Sequence, residues 1–237
     1  MQIMVINPNT SASMTDHLGR ELTAIKRPDT TLMVTCPDRG PYSIESAYDE
    51  AHAVPPTLEL VVRANEQGCD GVIIACFSDP GLRAAREISN IPVIGIEEAS
   101  LHAAAMLGAR FSILTPRKER AAAKREEVHV RGLDYFLASV RSLDLSVAQT
   151  DEDPELTKKR VLEVTAQAVQ EDGAEVVILG CAGMAGYAPE IEAALAVTVI
   201  DPASTALKLT EALVELRLMH SKIGLYAARR PSLSSRK

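Results

Sequence analysis

Apolar residues gather along the chain in short unbroken runs, each closed by turn-forming residues. Gln2 to Ile6 stops at Asn7-Pro8-Asn9, and Thr31 to Thr35 ends in the turn Pro37-Asp38-Arg39-Gly40-Pro41. Gly71 to Ala75 leads into Cys76, and Val93 to Ile96 follows Pro92. Further on, Phe111 to Leu114 stops at Thr115-Pro116, Glu175 to Leu179 at Gly180-Cys181, and Val197 to Ile200 at Asp201-Pro202. Runs this short and this rich in Val and Ile predict strands buried on both faces. Helical patterning fills the longer intervals: Ser13 to Lys26, Thr57 to Gln67, Glu155 to Gln170, Pro189 to Ala196 and Lys208 to Leu218. Asp79-Pro80 predicts one more helix start, with Asp79 as N-cap and Pro80 in the first turn. Strands alternating with helices predict α/β architecture, with parallel sheets covered on both faces.

The pattern runs twice. Pro8 and Pro116 lie 108 positions apart, Cys76 and Cys181 lie 105 apart, and Gly95 and Asp201 lie 106 apart. The phrases Asp70-Gly-Val-Ile-Ile-Ala-Cys76 and Glu175-Val-Val-Ile-Leu-Gly-Cys181 occupy the same place in each half. Three anchors in one register predict a duplicated α/β unit, that is, two pseudo-symmetric lobes with parallel sheets. The expected division is residues 1–98 with the returning segment 207–237 as the first lobe, and 99–206 as the second.

Composition narrows the function. A chain of 237 residues with 46% hydrophobic content is long enough for a sizeable core, built on Val, Ile, Leu, Met and Ala because Trp is absent. The net charge of −7 disfavours nucleic acid and anionic membranes as partners, since both select for basic surfaces. The one basic cluster, Arg229, Arg230, Arg236 and Lys237, falls in a tail from Ala227 onward that reads as a mobile end. No apolar run reaches the roughly 18–20 residues of a membrane span, and no secretory leader pattern opens the chain. Four cysteines are too few for a disulfide scaffold, so reduced thiols in a cytoplasmic setting are expected. The spacing of Cys and His fits no zinc site, and no glycine-rich nucleotide motif follows the first strand. No metal and no cofactor are therefore expected.

The chemistry concentrates on two thiols. Ligands of open α/β sheets bind beyond the carboxyl ends of the strands, and Cys76 and Cys181 both lie there. Taken singly, a cysteine at the end of a buried strand is a small hydrophobe. Placed in duplicate register, the pair faces one cleft from two sides, as a two-base racemase requires: one group removes a proton and the other delivers one to the opposite face. Gly180, Gly183 and Gly186 let backbone N–H groups approach a ligand or a developing enolate oxygen. Cys36 and Cys69 lack such partners and read as structural.

At these residues the chain resembles the aspartate/glutamate/hydantoin racemase superfamily, and within it the hydantoin racemases, with allantoin racemases close by. The matching phrases are Ile6-Asn-Pro-Asn-Thr-Ser-Ala-Ser-Met-Thr15, Gly40-Pro-Tyr-Ser-Ile-Glu45 with Tyr48-Asp-Glu-Ala51, Ile74-Ala-Cys-Phe-Ser-Asp-Pro-Gly81, Leu179-Gly-Cys-Ala-Gly-Met-Ala185 and Val199-Ile-Asp-Pro202. The resemblance implies a cofactor-independent racemase acting on 5-monosubstituted hydantoins, with Cys76 and Cys181 as the acid/base pair, two Rossmann-like lobes with the active site in the cleft between them, and a homo-oligomer. It also implies that Asn9, Ser43, Ser78, Thr115 and Gly183 fall in the segments that line the substrate pocket. The repeat points Asn9 and Thr115 at the same cleft independently, because each follows the first strand of its half. Phe77, next to the first cysteine, either faces the substrate ring or packs.

Several alternatives stay open. Allantoin is itself a hydantoin with a ureido substituent, and a polar pocket would favour it, whereas an apolar one would favour alkyl or aryl groups. An Asp/Glu-type amino-acid racemase is more remote, because no Arg or Lys stands in a motif near the cysteines. A related decarboxylase would keep one cysteine of the two, and a cysteine-nucleophile amidase needs a histidine partner that no motif places. A two-lobed binding protein leaves the paired thiols without a purpose. The segment from Arg117 to Arg131, rich in charge and alanine, reads as a solvated helix.

Overall fold

The computed structural model describes residues 1–227, so the basic tail singled out above lies outside the described residues. Among the described residues, eight strands and nine α-helices follow one another along the chain. The first half contains β1 (Gln2–Ile6), α1 (Ala12–Ile25), β2 (Thr31–Thr35), α2 (Ala47–Glu66), β3 (Gly71–Ile74), α3 (Leu82–Ile88), β4 (Val93–Gly95) and α4 (Ile96–Leu107). The second contains β5 (Phe111–Thr115), α5 (Ala121–Val130), β6 (Leu137–Ser142), α6 (Val147–Glu152), α7 (Pro154–Asp172), β7 (Val176–Leu179), α8 (Ala188–Leu195), β8 (Thr198–Ile200) and α9 (Pro202–Glu215). All pairings are parallel, in two four-stranded sheets of order β2-β1-β3-β4 and β6-β5-β7-β8. Both sheets thus have the same strand order.

Alternate residues of each central strand serve different cores, as the two-residue period of a strand requires. Ile3 and Val5 of β1 and Val176 and Ile178 of β7 join a core shared between the halves, together with Phe111, Leu101 and Leu207. Met4 and Ile6 face an outer core with Leu60 and Val61 of α2, while Val177 and Leu179 face another with Val161 and Val164 of α7. The shared core fixes the two sheets against each other, and with them the cleft at their strand ends.

Helix α9 returns to pack on β3, β4, α1 and α4. Glu211 in α9 accepts hydrogen bonds from the Thr30 hydroxyl at 2.7 Å and the Arg27 N–H at 2.8 Å. Helix α4 spans the expected 98/99 boundary and packs on α9 and on β7 alike.

Several elements differ from the sequence reading. Helix α2 begins at Ala47, not near Thr57, and runs through Pro55 and Pro56. The Ser46 hydroxyl caps its start by accepting from Asp49 N–H at 3.2 Å, and Ala53, Pro56, Thr57 and Leu60 bury one face of the helix across the two prolines. Asp79 does not cap a helix starting at Pro80; α3 starts at Leu82, after Gly81 in the left-handed region at φ 75°. The Asp79 carboxylate instead accepts the Glu97 and Glu98 N–H groups at 3.0 and 2.8 Å, capping α4. Gly95 makes room for this, since a Cβ there would stand 2.2 Å from the Asp79 carboxyl carbon. Finally, α5 is not a fully solvated helix: Lys124 and Val128 on it are buried.

Among the described residues no helix is long and apolar enough to cross a membrane. Nor do three His, Cys, Asp or Glu side chains among them cluster as metal ligands would.

Candidate active site

Strand register brings the candidates to matched positions. Ile6 of β1 pairs with Ile74 of β3, and Leu114 of β5 pairs with Leu179 of β7. Two residues past each partner stand Pro8 and Cys76 in one half, and Pro116 and Cys181 in the other. The sequence offsets are therefore the register of the two central strand pairs. In each sheet these strands flank the point where the order reverses, the place where α/β sheets open a crevice. Asn9, Cys76, Thr115 and Cys181 line one narrow cleft there.

Phe77 and Ser78 line the same cleft. Met14, Ile44 and Val147 supply apolar wall, and Glu50, Arg120 and Lys124 supply charge. No Arg or Lys stands in a motif beside the cysteines, yet the fold brings Arg120 and Lys124 to the cleft from a distant segment. Both cations are already engaged: Arg120 bridges to Glu50, and Lys124 Nζ donates to Glu97 Oε1 at 2.9 Å and to the Phe77 carbonyl. These partners lie in the first half of the chain, so α5 and the turn before it tie the halves together around the cleft.

Each thiol has a hydroxyl neighbour. Cys76 Sγ lies 3.4 Å from Ser78 Oγ, and Cys181 Sγ lies 3.6 Å from Thr150 Oγ1. Burial pushes the Cys76 thiol up to about 12; Cys181 and Glu50 add to this, while Ser78 and Lys124 oppose it. Burial pushes Cys181 up as well, against the Gly183 N–H, the Thr150 hydroxyl and Lys124. A hydroxyl or amide N–H beside sulfur favours the thiolate because it donates to the charged form.

Gly183 and Ser43 stand apart from the other expected residues. Gly183 packs against Thr150 and does not line the cleft: a Cβ there would meet Thr150 Oγ1 at 2.4 Å. Ser43 also lies off the cleft, and its neighbour Ile44 takes the wall position. The Ser43 hydroxyl donates to Glu45 at 3.1 Å, and Glu45 pairs with Arg117 of the second half at 2.7 Å. Asn9 is buried, its Oδ1 accepting from Ser11 N–H at 2.9 Å and from Asn7 Nδ2 at 2.8 Å. That bonding turns the Asn9 amide nitrogen toward Met14 and the cleft wall, 3.4 Å from Met14 Sδ. Cys36 and Cys69 lie elsewhere, and Cys69 belongs to an outer core.

Thr150 and Lys124 were missed in the sequence, and only one of them left a readable sign. Ser146-Val-Ala-Gln149 forms a capping box, with Gln149 N–H to Ser146 Oγ at 3.1 Å and Ser146 N–H to Gln149 Oε1 at 2.8 Å. That signature announces α6, which carries Thr150 and Val147. Nothing local marks Lys124, whose partners are distant in sequence.

Known proteins carry the same fold. A hydantoin racemase from Pseudomonas sp. (strain NS671) is 38% identical over 226 residues, covering 95% of this chain and 91% of that one. An allantoin racemase from Klebsiella pneumoniae superposes with a TM-score of 0.95 at 40% identity, covering 100% of this chain and 97% of that one. A second allantoin racemase, from Pseudomonas fluorescens, gives a TM-score of 0.92 at 33% identity with 98% of both chains covered. Residues 3–210 match the family described as Asp/Glu/Hydantoin racemase. The chain belongs to the Asp/Glu/Hydantoin racemase family and is an isomerase.

Proposed function

We propose that the protein racemises 5-monosubstituted hydantoins by moving a proton between Cys76 and Cys181. The observation that carries the reading is the placement of both thiols at equivalent strand ends on one cleft. The C5 proton of a hydantoin is adjacent to a ring carbonyl, so its removal leaves a delocalised enolate and needs no pyridoxal electron sink. One cysteine, as thiolate, takes the C5 proton and becomes a thiol. The other, as thiol, gives its proton to the opposite face of C5 and becomes a thiolate. The cycle ends with inverted substrate and exchanged protonation states, ready to run in reverse on the other enantiomer. Asn9, Ser78 and Thr115 supply polar contacts for the ring, and Phe77 supplies apolar wall beside it.

The apolar wall of Met14, Ile44, Phe77 and Val147 supports an alkyl or aryl group at C5. L-5-Benzylhydantoin should therefore lose its optical rotation with higher kcat/KM than S-allantoin when both are followed by polarimetry on the purified protein. The polar Glu50–Arg120 pair on the same cleft favours a second reading, allantoin racemisation, because a ureido group both donates and accepts hydrogen bonds. A preference for allantoin in that comparison selects the second reading. Decay of neither substrate removes both.

The pH profile follows from burial. With both thiols pushed up, the empty site holds little thiolate at neutral pH, and each pH unit below the thiol pKa changes the thiolate population about tenfold. The initial kcat/KM should climb steadily from about pH 7 into the alkaline range. A profile rising and levelling at about pH 6.5 would point to a histidine base and count against the thiols.

A further inference from the structure

Lys124 has no role in the proton transfer as described, yet it occupies the floor of the cleft. It sits on α5 in the second half, is 3% exposed, and reaches across to Glu97 and to the carbonyl of Phe77 in the first half. Phe77 directly follows Cys76, so the ammonium grips the turn that carries the first thiol. Its charge also lies 5.2 Å from the centre of the Phe77 ring. Of the two ion-pair members, Lys124 lines the cleft alongside Cys76 and Cys181, and Glu97 does not. Glu97 is fully buried and engages Lys124 through Oε1 only, its Oε2 having no partner among the described residues.

A buried ion pair is poor evidence of a need for stability, because apolar replacements of the whole pair are often neutral or better. At the floor of a cleft, its place calls for another explanation. We infer that Lys124 is a positioning residue for racemisation: its buried ammonium holds the Cys76 turn in place and supplies the positive charge that makes a thiolate tolerable at either cysteine. This rests on the two-cysteine reading above. Proton transfer needs one thiolate at every stage of the cycle, on Cys76 at one end and on Cys181 at the other. A fixed cation between the two elements serves both states without moving, and Lys124 does favour the thiolate at both positions. The other charges facing the thiols are Glu50 on α2 and Asp151 on α6, both of which work against it. Arg120 is paired with Glu50, as Lys124 is with Glu97, and Arg131, the residue after α5, pairs with Glu127 and Asp79.

The test compares wild type with K124R, K124M and the double variant K124M/E97Q. The double variant removes the pair without stranding a buried carboxylate, and circular dichroism and thermal melting establish that it folds. Iodoacetamide alkylation of each cysteine, assigned by mass spectrometry across a pH series, reads thiolate formation without any substrate. The expected result is that K124M/E97Q alkylates both cysteines about tenfold more slowly at fixed pH, a shift of about one unit in apparent pKa. Its kcat falls by a comparable factor while KM changes little, and K124R keeps the wild-type alkylation profile. An unchanged alkylation profile in folded K124M/E97Q overturns the inference, and so does K124R that behaves as K124M. Should the cysteines prove dispensable for racemisation, the two-cysteine reading fails on turnover, whereas the alkylation series still reports whether Lys124 sets thiol acidity.

Discussion

Replacing Cys76 or Cys181 with serine is expected to abolish racemisation in each case, with a loss of about 10²–10⁴-fold or more. Serine keeps the shape of the side chain but has a hydroxyl far less acidic than a thiol, so it provides neither a usable base nor a matched proton donor. Inversion needs one group on each face of C5, and the two thiols stand on the two halves of one cleft. Removal of a proton from one face needs only the cysteine on that face. Each variant should therefore still exchange the C5 hydrogen of one enantiomer with deuterated water while leaving its configuration intact. Cys76→Ser and Cys181→Ser should prefer opposite enantiomers. Proton NMR of the C5–H signal, recorded for each pure enantiomer in D₂O beside polarimetry, separates exchange from inversion. Near wild-type racemisation by either variant would make that cysteine structural and end the mechanism. Exchange of both enantiomers by one variant would point to a base other than the missing thiol.

How much of this was legible in the sequence depended on how local the signal was. The central strands were legible because each is a short apolar run stopped by Asn, Pro, Gly or Cys, and their register reappears as the offset between the halves. Strand β6 was not, since Leu137-Ala-Ser-Val-Arg-Ser142 is half-buried at a sheet edge, where a continuous apolar run is not needed. Helix α4 was hidden by its abrupt start: β4 ends at Gly95 and the helix begins at Ile96, so the apolar run crosses from strand to helix without a loop. Its cap, Asp79, comes from a segment 18 residues upstream, where the following Pro80 makes it look like the cap of a nearer helix. Lys124 illustrates the same limit at the site. In a segment dense with Arg, Lys and Glu the local pattern reads as solvent-facing, and only the distant Glu97 makes its burial tolerable.

Gly183 links these two levels, and its replacement by alanine should separate the site from the fold. The glycine lies in a short 3₁₀ turn, Ala182–Met184, that follows Cys181, at a backbone conformation alanine can adopt. The added Cβ would stand 2.4 Å from Thr150 Oγ1, 3.3 Å from Thr150 Cβ and 3.5 Å from Met14 Cε. Thr150 is fully buried and β-branched, its hydroxyl tied to the Val147 carbonyl at 2.7 Å, so it has little room to turn aside. The strain should push α6 and the Cys181 turn apart, at a cost of about 1–3 kcal/mol, within the margin of a domain this size. Gly183→Ala should thus remain folded, with a melting temperature lower by a few degrees. Racemisation should fall far more, by about 10²-fold, because a shift of order 1 Å at the thiol spoils in-line proton delivery. Thr150→Val provides the control: it removes the hydroxyl beside Cys181 without adding bulk, and should raise the apparent pKa for Cys181 alkylation with a smaller loss of turnover. Wild-type kcat in Gly183→Ala would mean that Thr150 yields freely and that the Cys181 turn is not held by this contact.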